Sequence, residues 1–340
     1  MTATVPAIID EANGENWHLY LGDSCQVIQG LPENSIDLCI HSPPFSNLYI
    51  YSDSEADMGN ALNDSEFIEH YEFLIREIYR ITAVGRLCIV HSKDLPKYAN
   101  RDDTAGLKDF PGDIIRAFIR QGWSYHSRIT IWKCPVVERE RTNNNGLLHK
   151  TVLRDRSQVR QGMADFLLIF RKAPDGTLLA EKPISESAGF EYYVGPNELD
   201  PRHTDKHPSR HARGRGKRTT EQHEHQSSIN IWRRYAEPVW WDIDQMDVLN
   251  YKTARSDKDE RHICPLQLGL IERCVQIWSL PDEVIFSPFA GICSKGVGAI
   301  RQGRKFVGIE LKPEYFRDGK AHLKRAEKQL AVKETPLFAH

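Results

Sequence analysis

Residues 41–45, "HSPPF", place two prolines and an aromatic ring directly behind the apolar run "IDLCI". The first proline drives Ser42 out of the helical region, and the pair fixes successive φ angles, so a strand entering this segment must stop. The carbonyls of Ser42 and Pro43 then become preset acceptors instead of ladder partners. A planar amine held by the Ser42 hydroxyl and the Pro43 carbonyl would have its lone pair steered towards an electrophile. Pro44 stiffens the turn, and Phe45 offers a face on which a flat base can stack. Taken alone, the same residues also read as a strand that merely ends in prolines.

A second stretch, "VIFSPFAGICSKGVGAI" (284–300), reads as a strand, a tight turn with Gly291 and a helix. Backbone can approach a ligand closely at such a turn, and helix N-terminal amides favour electronegative groups. Glu310 follows Gly291 by 19 residues, at the end of the next strand, "FVGIE". A carboxylate there can accept hydrogen bonds from both hydroxyls of a ribose. A solvated Glu after a structural βαβ turn is the plainer alternative. The GxG at Gly296–Gly298 falls inside the expected helix and lacks the later Gly of a dinucleotide fingerprint.

The elements that must position these residues are α/β throughout. "WHLYLG", "IDLCIH", "RLCIVH", "SYHSRITIWKC", "ADFLLIFRK", "EVIFS" and "KFVGIEL" read as strands. "SEFIEHYEFLIREIYRI" aligns Phe67, Ile68, Tyr71, Leu74, Ile75, Ile78 and Tyr79 on one helical face, with Asp64 or Ser65 as N-cap and Gly85 as the stop. "FPGDIIRAFIRQG" and "PLQLGLIERCVQIWS" are further helices, and a charged amphipathic helix begins near Pro313. Consecutive βα units imply a seven-stranded, mainly parallel, doubly wound sheet whose ligands sit beyond the carboxyl ends of its strands.

Net charge is −2 over 340 residues, so attraction to phosphate must come from local patches. The 135–163 connection carries six Lys/Arg against three acidic residues, among them Arg139, Arg141 and Lys150. Within 173–245, the run "PRHTDKHPSRHARGRGKR" has seven Lys/Arg against one Asp. Such a run is commonly disordered; as a phosphate-contacting segment it would use Arg210, Arg213, Arg215, Lys217 and Arg218. His203, His207, His211, His223 and His225 lie where no Cys occurs between 135 and 263, so no zinc site is expected and no metal is assigned. Trp232, Trp240 and Trp241 read as packing, with one available to line a pocket. Seven scattered cysteines without CxxC spacing, no leader-like N-terminus and no long apolar window point to a cytoplasmic protein without a membrane anchor.

Together the motifs resemble the β-group S-adenosylmethionine-dependent amino-methyltransferases of DNA. That family carries its S/D-P-P-Y/F motif in the N-terminal half, its F-x-G-x-G cofactor motif in the C-terminal half and a target-recognition region between them. "YLGDSCQVIQGLPENSIDLCIHSPPF" is similar to the family's catalytic segment, which implies cofactor contacts from Asp23 and Ser24 and catalytic roles for Ser42, Pro43, Pro44 and Phe45. "RHICPLQLGLIERCVQIWS" resembles the helix over the methionine end and implies contacts from His262 and Pro265. The loop "SPFAGICSKGVGAI" implies Phe289, Ala290, Gly291 and Ser294, with Glu310 on the ribose. Where the family usually has D-P-F-x-G-S-G-T, this chain has Ser287 and Cys293.

The resemblance implies a tail (1–16), a catalytic half (17–172), a target-recognition insertion (173–245), a cofactor half (246–330) and a C-terminal tail (331–340). It also implies S-adenosyl-L-methionine as cofactor and duplex DNA as partner, with base flipping, and it allows a homodimer. S-P-P-F/Y is commonest among enzymes acting at N4 of cytosine and D-P-P-Y among those acting at N6 of adenine, so Ser42 directs the expectation to cytosine, with adenine the alternative. The chain contains no Pro-Cys dipeptide such as a C5-cytosine enzyme uses for its nucleophile. A non-catalytic DNA-binding protein on the same scaffold and a Rossmann-type oxidoreductase are the readings from other classes; the latter leaves "HSPPF" unexplained.

Overall fold

The computed structural model describes residues 8–45, 58–61, 63–97, 104–142, 145–173, 231–232, 234–250 and 265–334. The chain divides into one unit of Met1–Thr177 with Val239–His340 and a second of Leu178–Pro238, somewhat shorter than the insertion expected over 173–245. Of the second unit only residues 231–232 and 234–238 are described. The first unit holds the sheet.

Its strands are β1 (Asp10–Asn13), β2 (Trp17–Leu21), β3 (Ile36–His41), β4 (Thr82–Lys93), β7 (Ser124–Ile131), β8 (Asp165–Arg171), β9 (Val239–Trp240), β10 (Val284–Ser287) and β11 (Lys305–Glu310). They lie in the order β1-β2-β11-β10-β3-β4-β8-β7-β9, and a separate hairpin pairs β5 (Leu95–Lys97) with β6 (Gly106–Lys108). From β2 to β4 every pairing is parallel, while β8 runs antiparallel to both β4 and β7. The expected seven strands are all present. Two short edge strands, β1 and β9, join them among the described residues, so the count expected from periodicity is corrected to nine.

β1 also corrects the N-terminal tail, because Asp10–Asn13 pairs antiparallel with β2. Its sequence, "DEAN", buries only Ala12, so no alternation betrays it, and it is held by ladder hydrogen bonds instead. At the other end α8 (Pro313–Glu334) runs into the segment expected as a tail.

Helix α2 (Asp64–Ile81) is capped by Asn63, whose side chain accepts from the Glu66 amide, and not by Asp64 or Ser65. It ends at Thr82, where β4 begins at once; Gly85 is not the stop but a positive-φ residue inside β4. The helix buries Phe67, Tyr71, Leu74, Ile75 and Ile78 against the sheet together with α3 (Phe110–Arg120). Each such side chain is worth about 1.5–3 kcal/mol against exposure, so Leu74→Ala would cost roughly 2–5 kcal/mol.

Alternation along each strand feeds the two faces. Phe286 and Ile309 belong to the α2–α3 core, whereas Phe306 faces α7 (Ser294–Arg301). A Cβ on Gly296 would meet Phe306 at 2.6 Å and Leu323 of α8 at 2.5 Å; one on Gly298 would meet Ile271 of α6 (Leu268–Trp278) at 2.6 Å. The GxG is therefore a packing device that lets α7 sit close to β11, α6 and α8. Trp240 is likewise packing: it is buried, stacked with Trp278 and covered by the Arg273 guanidinium, which Asp242 holds at 3.0 and 3.2 Å. Trp241 and Trp232 are exposed.

Candidate active site

β3 ends at His41, and Ser42–Phe45 leave the sheet at its carboxyl edge. Ser42 Oγ lies 3.2 Å from Nδ1 of His91, near the end of neighbouring β4. His91 Nε2 lies 3.0 Å from Oδ2 of Asp165, the first residue of β8, and the same oxygen is 2.8 Å from Lys133 Nζ. Both His91 and Asp165 are 9% exposed. Burial lowers the His91 pKa against the raising effect of Asp165, so the ring is neutral near pH 7. Burial alone would raise Asp165, but hydrogen bonds and charge from His91 and Lys133 outweigh it and hold the carboxyl well below the usual range. With Nε2–H donated to a fixed carboxylate, Nδ1 is an acceptor and Ser42 donates to it. The Ser42 oxygen then keeps its own lone pairs free to accept.

Sequence reading missed His91, Asp165 and Lys133. The signal was present only as strand ends: parallel β3–β4 pairing places His41 opposite Val90, and antiparallel β4–β8 pairing places Lys93 opposite Asp165. Phe45 is half-buried, its ring meeting Phe110 edge-on with centroids 6.3 Å apart and carrying the Lys93 ammonium at 5.7 Å. Pro43 is buried and Pro44 half-buried, as a rigid turn seated on a core requires.

The predicted cofactor residues gather at the adjoining ends of β2, β11 and β10. Asp23 caps the short helix α1 (Ser24–Val27) through the Cys25 amide at 3.0 Å, and the Gly22 amide donates to the Glu310 carbonyl at 2.9 Å. Glu310 accepts from the Gly291 amide at 2.6 Å and from the Lys312 amide at 2.9 Å. Burial pushes its carboxyl up to about 7 against those two bonds. Gly291 has φ 57°, and a Cβ there would meet nothing within 4 Å. The loop thus borders open space at the strand ends, beside the Glu310 carboxylate.

Ser24 is otherwise engaged, its hydroxyl donating to the Pro288 carbonyl at 2.5 Å as a strut between the two turns. The Phe289 ring turns inward against His41 and Tyr71, with centroids 5.9 and 6.5 Å apart. Ala290 and Ser294 are buried, Ala290 held by its amide on the Ile309 carbonyl. Pro265 is half-buried ahead of α6. His262 lies outside the described residues.

The departures at 287 and 293 have local accounts. Ser287 donates to the Phe289 carbonyl at 3.1 Å and so stays within its own turn. Cys293 takes the left-handed φ of 66° that a Gly would, and its side chain points at α8, where Gly319 leaves room: a Cβ on Gly319 would lie 2.6 Å from Cys293 Sγ. The thiol is buried, and burial raises its pKa. Lys295, also missed from the sequence, is buried in α7 with Nζ 3.3 Å from the Phe289 carbonyl; burial lowers it to about 8, and it feels the charges of Cys293, Glu310 and Cys39.

The basic connection leaves β7 at Ile131 and re-enters at Asp165, residues that pair with each other. It therefore emerges at the same sheet edge as Ser42. It forms α4 (Pro135–Thr142) and α5 (His149–Arg154), with Lys150 exposed on α5 and Arg139 half-buried on α4, the helix that also contains Arg141. Arg210, Arg213, Arg215, Lys217 and Arg218 lie outside the described residues, as do the histidines from 203 to 225.

A mainly parallel sheet in which β1 and β8 run antiparallel to their parallel neighbours, a proline turn at the end of β3 and a Gly loop anchored on the Glu310 carboxylate at the neighbouring strand ends make up the candidate site. The family model for N6/N4-type DNA methylases matches residues 36–321, and the chain belongs to that family. The chain is 34% identical over 79 residues to the DNA adenine methyltransferase YhdJ of Escherichia coli K12, covering 23% of this chain and 25% of that protein. It is 28% identical over 120 residues to the type II methyltransferase M.SfiI of Streptomyces fimbriatus, covering 35% and 25%. The chain thus spans about a quarter of the length of these curated relatives. Among solved structures, PvuII DNA methyltransferase (cytosine-N4-specific) matches with a TM-score of 0.57 at 15% identity over 96% of this chain and 97% of that one. TTHA0409 of Thermus thermophilus, complexed with S-adenosyl-L-methionine, matches with a TM-score of 0.56 at 18% identity, over 95% and 97%. No described helix is long and apolar enough to cross a membrane.

Proposed function

We propose that the chain methylates the exocyclic N4 amine of cytosine in duplex DNA, on a base turned out of the helix. When bound, S-adenosyl-L-methionine supplies an electrophilic methyl group on a sulfonium. Asp23, Gly291 and Glu310 would hold its nucleoside end. The observation that carries the reading is the Ser42–His91–Asp165 chain of hydrogen bonds at the end of β3 and β4.

A cytosine amine is a poor nucleophile because its lone pair is delocalised into the ring. Accepting one N–H at the Ser42 oxygen, with the Pro43 carbonyl taking the other, draws the nitrogen towards a pyramidal shape and aims the lone pair. Positioning supplies most of the acceleration in such a reaction. After transfer the nitrogen is cationic and must lose a proton. Ser42 can accept that proton as it passes its own to His91 Nδ1, and the imidazolium so formed is stabilised by the Asp165 carboxylate. Lys133 keeps Asp165 ionised throughout.

Phosphate contacts come from Lys150, Arg139 and Arg141, on the connection that emerges at the same sheet edge, and from the five basic residues between 210 and 218. Methylation at N6 of adenine is the second reading, favoured by the name of the YhdJ relative. Mass spectrometry of nucleosides from DNA of cells expressing the protein separates the two. Accumulated N4-methylcytosine is expected; N6-methyladenine alone would transfer the assignment to adenine, and neither product would favour a DNA-binding protein without catalysis.

A further inference from the structure

Behind the proline turn, on the face of the sheet covered by α2, three potential ligands meet that the methyl transfer does not use. Cys39 and His41 lie two residues apart on β3 and so share a face, and Cys88 sits opposite Cys39 on β4. Their ligand atoms all lie within 4.8 Å of one another, and all three residues are 0% exposed. Cys39 Sγ is 3.3 Å and Cys88 Sγ 3.9 Å from His41 Nδ1. Bonds of about 2.3 Å to sulfur and about 2.0 Å to nitrogen around a tetrahedral zinc place such ligand atoms roughly 3.5–3.8 Å apart. The side chains need only a small adjustment to close on an ion.

The outer contacts have the form a metal-bound imidazole requires. His41 Nε2 is 2.6 Å from the Tyr71 hydroxyl, an oxygen able to accept from Nε2–H while Nδ1 faces the two sulfurs.

We infer that Cys39, His41 and Cys88 form a site for one soft divalent cation, zinc by its donor set, which ties β3 to β4 directly beneath Ser42 and His91. Binding releases one proton from each thiol to solvent, and two thiolates with a neutral imidazole balance the double positive charge. That neutrality is what permits an ion in a dry core. The soft thiolates select against magnesium and calcium.

The test uses the full-length protein, reduced, stripped with a chelator and dialysed against zinc, with bound metal measured by plasma mass spectrometry and cobalt used as a spectroscopic stand-in. One zinc per chain, a thiolate-to-cobalt charge-transfer band and a zinc-dependent rise in the unfolding temperature are expected. Cys39→Ser and Cys88→Ser should each abolish the band, and Cys25→Ser and Cys134→Ser should leave it intact. Tyr71→Phe keeps the ring in the core and should weaken zinc affinity about 10- to 100-fold, a change that a purely structural cluster would not produce. Zinc content equal in the wild type and in Cys88→Ser, or an affinity unaltered by Tyr71→Phe, would overturn the assignment. Methylation need not be measured, so this outcome is independent of the proposed activity.

Discussion

Two substitutions around one oxygen atom should move the pH dependence of methylation in opposite directions. Activity requires neutral His91, since only then can Nδ1 accept from Ser42. Burial places its pKa below the ordinary value of about 6.5, so the rate should fall on the acid side of that value as the ring protonates. Asp165 raises the His91 pKa and Lys133 lowers it. Asp165→Asn should therefore shift the acid limb of kcat/KM further down, and Lys133→Met should shift it up.

The two variants also differ in size of effect. In Asp165→Asn the introduced amide would donate an N–H to Nε2, reversing the tautomer so that Nδ1–H donates to Ser42 and the serine hydrogen turns towards the base. The loss of a charge-assisted hydrogen bond is worth about 1.5–3 kcal/mol, or roughly 10- to 150-fold in kcat/KM. Lys133→Met leaves the tautomer intact and should cost little above neutral pH. Tritiated methyl transfer to plasmid DNA, measured from about pH 5 to 9 at saturating cofactor, gives both quantities. Limbs that stay put, or that move the same way in both variants, would remove His91 from the path of the proton.

Glu310 must be ionised to accept from a ribose, and its carboxyl is pushed up to about 7; calorimetric cofactor affinity should therefore strengthen as pH rises through that value, and Glu310→Gln should abolish the dependence while weakening binding roughly 10- to 150-fold. Gly319→Ala should destabilise the protein by about 1–3 kcal/mol in urea unfolding through its clash with Cys293 Sγ. Most of that loss should vanish in the Cys293→Gly background, whereas additive costs would show that the two positions do not share space. Replacing Arg139 and Lys150 by Ala should reduce the slope of log affinity for duplex DNA against log salt by roughly 2; an unchanged slope would place the backbone contacts elsewhere.

Most elements are legible from local rules. "IDLCIH" is β3 to the residue, because a continuous apolar run closed by prolines has few alternatives. "DEAN" is not legible, because an edge strand held by ladder bonds carries no apolar alternation. The end of α2 misleads for a related reason: Gly85 has the positive φ of a helix stop, but it places that φ within β4.

The same division runs through the site. Ser42, Pro43, Gly291 and Glu310 stand out in the sequence because they lie in contiguous motifs whose backbone constraints are local. His91, Asp165, Lys133 and the Cys39–His41–Cys88 cluster are not, since their meaning depends on which strand lies beside which and in what register. Pairing of β3 with β4 brings Cys88 to Cys39 from far along the chain, and the antiparallel return of β8 sets Asp165 behind His91. By itself the sequence determined the proline turn that ends β3 and the Gly loop that precedes Glu310. Only the tertiary structure decided what stands behind the serine, because non-local strand register carries no periodicity that a single chain can display.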